Sequence, residues 1–210
     1  MTSPVDPNQV RLTGENSFIR LLTEEGGPET TRASHWRVLL SPGGPGHTLF
    51  LKSDATDDEV RIYSDNIALT RWLQEELEST MFPEFADESI PVIDAVFERS
   101  GDAISFWTET VESDDEMVSL TWYDFEEPFM INVPAGSNPD RPHGAYSCFV
   151  PARRAQLTLN GVVAEGRPFP AKMGDRTSST SCLAWSETWV RPALPSPHKR
   201  GRDSFHRTFR

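Results

Sequence analysis

From residue 91 to residue 190 the sequence is a succession of short runs in which apolar and polar residues alternate, separated by residues that favour turns. A period of two marks strands with one buried face, and a chain patterned this way over half its length has few folds open to it. The runs are 91–98 (PVIDAVFE), 103–111 (AISFWTETV), 117–123 (MVSLTWY), 129–133 (FMINV), 145–150 (AYSCFV), 155–159, 162–165 and 182–190 (CLAWSETWV). Asn160-Gly161, between two of them, is the dipeptide that a two-residue type I′ hairpin requires. Arg99-Ser100-Gly101-Asp102 signals a second hairpin, and residues 134–144 form a loop dense in Pro, Gly, Asn and Asp.

The first half adds strand-like runs at 18–22 (FIRLL), 36–40 (WRVLL), 48–52 (TLFLK) and 60–63 (VRIY). Then the period changes. Asp65-Asn66 offers an N-cap, and Ile67, Leu69, Trp72, Leu73 and Leu77 recur at helical spacing. Residues 67–78 therefore read as an amphipathic helix, with Trp72, Leu69 and Leu73 against a sheet and Glu75 and Glu78 in water. Nine or ten strands and one helix predict a mainly β fold, an antiparallel calycin-like β-barrel closed or supported by that helix. Residues 16–190 form its single domain, 1–15 a flexible N-terminus, and 191–210 a basic C-terminal tail.

The net charge of −12 argues against nucleic acid as a partner. The charge is uneven: 191–210 carries six Lys/Arg and one acid, leaving 14 bases against 31 acids in the rest. Neither an apolar leader nor a run of the roughly 18 apolar residues of a membrane helix is seen, so no membrane partner and a cytoplasmic location are expected. Cys148 and Cys182 fit reduced, buried thiols rather than a disulfide framework. The glycine-rich stretch 43–48 lacks a phosphate-binding lysine and sits between strands, so it reads as a turn. The acidic runs 114–116 and 124–127 read as solvated turns. No cofactor and no metal are expected, and the oligomeric state is open, with a homodimer compatible.

The informative pattern is where tryptophans and glutamates fall. On 103–111, Trp107 and Glu109 share a face; on 182–190, Trp185, Glu187 and Trp189 do, and the two stretches rhyme as Trp-Thr-Glu-Thr and Trp-Ser-Glu-Thr. Such a face either points outward with half-covered carboxylates, or lines an apolar cavity in which desolvation raises a glutamate pKa into the range useful for acid–base work. Trp107, Trp122, Tyr123, Trp185 and Trp189 are the candidate walls, with Glu109 or Glu187 as acid/base. His143 at a strand mouth and Tyr146 beyond it are candidate helpers.

The residues 144–146, the hairpin around Asn160-Gly161, Gly166 and the terminal 183–189 (LAWSETW) together resemble the closing strands of lipocalin-like proteins of the carotenoid hydratase and AttH type. The resemblance implies a barrel and cofactor-free chemistry on a terpenoid or polyketide-like molecule; it transfers no catalytic residue. The expected function is a cofactor-independent hydratase/dehydratase, cyclase or isomerase acting on a small apolar molecule. A non-catalytic carrier with the same cup, or a sheet-face interaction module without a pocket, are the alternatives.

Overall fold

A computed structural model of the chain describes residues 9–137 and 142–192, so the tail beyond 192 and residues 1–8 lie outside the described residues. Strands β1 (Val10–Leu22), β2 (Glu29–Leu40), β3 (Gly46–Ser53) and β4 (Val60–Ser64) form an antiparallel meander. After the helical segment come β5 (Val92–Asp94), β6 (Val96–Gly101), β7 (Phe106–Glu112), β8 (Met117–Phe125) and β9 (Phe129–Val133). The last strands among the described residues are β10 (Gly144–Leu159), β11 (Val162–Val163), β12 (Pro170–Met173), β13 (Arg176–Ser179) and β14 (Ser181–Val190).

Hydrogen bonding orders the main sheet β5-β4-β3-β2-β1-β14-β10-β8-β7-β6, with β9 and β11 also on β10, while β12 and β13 form a separate hairpin. The two end strands of that path, β5 and β6, are consecutive in the chain and separated only by Ala95. A sheet whose first and last strands are joined by one residue must curl until they meet. The molecule is thus mainly β, a nearly closed barrel-like sheet carrying one amphipathic helix. Among the described residues every strand pair is antiparallel except β4–β5, which is parallel. The run 91–98 is therefore two strands rather than one, broken where the chain passes from one end of the sheet to the other. The type I′ turn forms as expected: Asn160 and Gly161 have φ of 51° and 79°, and Leu159 pairs with Val162.

The inner face is filled. Ile19, Leu21, Leu49, Leu51, Tyr63, Val111, Val118, Leu120, Trp122, Leu157 and Leu183, contributed from around the sheet, pack into one buried core. A second core lies outside, where Leu69, Leu73 and Leu77 of the helix cover Leu12, Trp36, Val38, Phe50 and Ile62. Asn66 caps the helix by accepting the Leu69 N–H at 3.2 Å, and its amide donates to the carbonyls of Gly43 and Pro45. The glycine-rich turn thus lies flat on the helix start; a Cβ on Gly43 would stand 2.6 Å from the Leu69 Cα.

Two expectations are corrected here. The helix α1 (Ile67–Leu73) runs into a π-helical turn, Gln74–Glu78, before a last turn, Ser79–Met81. The extra residue in the π turn rotates the following positions, so Glu78 is fully buried rather than in water, Glu75 stays exposed and Trp72 is half-buried. At the other end, β1 begins at Val10, so 10–15 are not loose but form half of a central strand, with Leu12 wholly buried. Val10-Arg-Leu-Thr alternates as a strand should, and the register to β14 shifts after Gly14. Among the described residues no helix is long and apolar enough to cross a membrane.

Leu73 has no solvent exposure. Leu73→Ala is expected to lower stability by about 2–4 kcal/mol in denaturant unfolding, as other buried leucines do; a midpoint indistinguishable from the parent's would show that the helix is not a core element.

Candidate functional site

The site is shaped by one β-bulge. Opposite β14, Cys148 pairs with Ser186 and Phe149 with Ala184, which leaves Trp185 as the extra residue. Before the bulge, Leu183 faces the inner core and Cys182 and Ala184 face outward against Phe149. Trp185 joins the inner side, edge-to-face on Trp107 with ring centroids 4.7 Å apart. After the bulge the alternation is reversed, so Glu187 and Trp189 face outward. The expectation that Trp185, Glu187 and Trp189 share a face is therefore corrected, and with it the idea of one cavity holding both Glu109 and Glu187.

Glu187 lines an outward-facing cleft of about 530 Å³. Its floor is four adjacent strands, presenting Asn16 and Phe18 from β1, Glu187 and Trp189 from β14, Ala145, Ser147 and Phe149 from β10, and Ile131 and Val133 from β9. Met81 and Phe82, at the end of the helical segment, form one wall; the β12–β13 hairpin, through Ala171, Met173 and Ser178, forms another, and His143 is at the rim. The surface is mostly apolar.

The Glu187 carboxylate is buried. Its Oε1 accepts the Trp189 indole N–H at 2.5 Å, while its Oε2 is enclosed and has no hydrogen-bond partner among the described residues. Burial pushes its pKa up to about 7; the Trp189 N–H and, less, the nearby Ser147 hydroxyl pull the other way, and Glu78 pushes upward. Glu78 is built alike: Oε1 takes the Trp36 N–H at 2.6 Å and the Ser34 hydroxyl at 3.1 Å, Oε2 is buried without a partner among the described residues, and desolvation raises its pKa to about 7. Asn16 joins the two regions, lining the cleft while its amide donates to Ser34 Oγ at 3.0 Å. The neighbouring carboxylate that desolvation logic asks for is thus Glu78, not Glu109.

His143 lies 3.6 Å from a Glu76 oxygen and edge-on to Trp189; burial lowers its pKa against the opposing pull of Glu76. The lowering favours the neutral imidazole, which is able to accept a proton. Tyr146 falls between Ala145 and Ser147 and so points to the opposite face from the cleft.

The other candidates lie elsewhere. Glu109 is on the inner side, accepting the Trp107 N–H at 2.8 Å, with Arg99 at 5.4 Å over the same indole. Burial raises its pKa to about 7 as well, partly offset by Trp107, Arg99 and Arg37. Trp122 is core, its N–H donating to the Phe18 carbonyl, and the Tyr123 ring carries the Arg154 guanidinium. Of the predicted set, Glu187, Trp189 and His143 come together; Glu109, Trp107 and Trp185 form a separate inner group. Sequence reasoning missed Glu78, Asn16, Phe18, Phe82 and the β12–β13 hairpin. The only local signal for Glu78 was its place near the apolar stripe, four residues after Gln74.

Glu78, Glu109 and Glu187 hold protons in the folded chain that they release in the unfolded one between pH about 4.5 and 7. Stability therefore falls as pH rises through that window. His35, buried with its pKa lowered to about 3, and His143, also lowered, act oppositely but are outnumbered. Denaturant unfolding from pH 5 to 7 is expected to show this decline. Glu109→Gln should flatten it by up to about 1.4 kcal/mol per pH unit; a slope identical to the parent's would mean that Glu109 titrates normally.

No protein-family model, curated protein or solved structure matches this chain.

Proposed function

We propose that the chain binds a small apolar molecule, terpenoid or polyketide-like, in the outer cleft and transforms it without a cofactor, with Glu187 as general acid/base. The observation that carries this reading is the Glu187 carboxyl, buried at the floor of an apolar cleft with one oxygen unpartnered and a pKa near 7. A structural carboxylate is normally satisfied by several donors or a cation. One poised between its two protonation states is suited to give and take a proton.

In the dehydration direction, protonated Glu187 donates its proton to a substrate hydroxyl. The C–O bond breaks with its electron pair going to oxygen, and water leaves. The adjacent carbon loses a proton to neutral His143, forming the double bond, and solvent exchange returns His143 and Glu187 to their starting states. Phe18, Phe149 and Trp189 offer π faces to positive charge developing on carbon. Hydration is the reverse, and isomerisation or cyclisation uses the same two proton positions. The unbridged Cys148 and Cys182 fit a reducing compartment such as the cytoplasm.

A carrier without catalysis would use the same cleft, and Glu187 separates the two readings. With a substrate identified by mass spectrometry of ligand carried through purification, Glu187→Gln should lower turnover about a hundredfold or more, with binding little changed. Phe149→Ala should weaken binding more than turnover of bound substrate. Turnover unaffected by Glu187→Gln would sink the acid/base assignment and leave a carrier.

A further inference from the structure

A second groove, of about 490 Å³, lies on the barrel away from the cleft. Its lining includes Arg153, Arg154, Arg167, Gln156 and Tyr123 and, among the described residues, no aspartate or glutamate. That is out of keeping with a chain of net charge −12 in which acids outnumber bases 32 to 20.

Two of the arginines are held from below rather than paired. The Arg154 guanidinium lies 4.9 Å from the centroid of the Tyr123 ring, on the neighbouring strand β8. The Arg167 guanidinium lies 4.5 Å from that of Phe169. Among the described residues neither forms an ion pair, whereas Arg153 donates to Glu126 at 2.8 Å. The backbone beneath Arg167 is fixed: its N–H and C=O each bond to Leu22 at 3.0 Å, and the Glu165 carbonyl accepts the Thr30 hydroxyl. Gly166 packs so closely there that a Cβ would stand 2.8 Å from the Leu22 oxygen, and its φ is 93°.

A guanidinium stacked on an aromatic ring keeps its in-plane N–H donors free and loses little rotamer freedom when it binds. Two such forks facing one acid-free groove, with the Gln156 amide between the strands and the pinned segment, are arranged for oxyanions. We propose that this groove binds a small organic dianion, a phosphate ester by its chemistry, at a site separate from the apolar cleft. The groove exceeds the size of a bare phosphate, so the ester's organic part has room beside Tyr123.

Inorganic pyrophosphate, titrated calorimetrically into the full-length chain at constant ionic strength, tests this. Saturable one-to-one binding is expected, and Arg154→Gln/Arg167→Gln should weaken it about tenfold or more. The melting temperature of the double variant, with both residues exposed, should match the parent's. Absence of saturable binding at millimolar pyrophosphate would overturn the proposal. So would equal binding by the double variant, since the two stacked arginines would then not hold the anion and it would bind elsewhere, the basic segment 191–210 included.

Discussion

The single residue Ala95 is the constraint on which the architecture rests. It joins β5 to β6, the two ends of the hydrogen-bonded path, so a ten-strand sheet cannot remain open. Once curled, the sheet has an inside that must be filled to the density of a protein interior. Trp122, Tyr63 and the aliphatic side chains around them do so. Glu116, before β8, fastens the seam by accepting from Arg61 and from the Tyr63 hydroxyl at 2.7 Å on β4. An inside so filled leaves the outer face of β1, β14, β10 and β9 to form the apolar cleft, with the helix end and the β12–β13 hairpin raised above it as walls.

The same economy of donors recurs at all three buried glutamates. Glu78, Glu109 and Glu187 each accept an indole N–H, from Trp36, Trp107 and Trp189. An indole offers one donor and a broad apolar body. It therefore orients a carboxyl and strips water from it in the same contact. One or two neutral hydrogen bonds, the second at Glu78 coming from Ser34, do not offset the desolvation of a full charge, so all three acids are pushed toward neutrality. They differ in surroundings. Glu109 has Arg99 and Arg37 to share its charge. Glu187 has Glu78 pushing against it and an open apolar cleft in front.

How much of this could be read in advance follows from which forces are local. Period-two alternation and the Asn160-Gly161 turn depend on near neighbours, and they specified a β-rich barrel with its hairpin. The Trp/Glu pattern carried a real signal too, since Trp107 and Glu109 do bond at the i,i+2 spacing of one strand face. The rhyme misled at the second copy, where Glu187 takes its indole from Trp189 and the bulge at Trp185 turns the earlier tryptophan to the other side. A bulge is an agreement between two strands, here β10 and β14, and neither sequence alone contains it. The π turn hid Glu78 for a similar reason: one extra residue in a helical turn moves a side chain from water to core without changing the periodicity that announces the helix.

The two irregularities are also what make the cleft chemically distinct from the rest of the outer surface. Without the bulge, Glu187 would alternate onto the inner side, among the residues around Trp107. Were Glu78 in water it would exert little influence on a buried neighbour, because solvent screens exposed charge; in the π turn it is wholly buried. Glu78 belongs to the segment that continues through Met81 to Phe82, the wall of the cleft. One short stretch of chain therefore supplies both the apolar enclosure that desolvates Glu187 and the second carboxyl that keeps its proton affinity high.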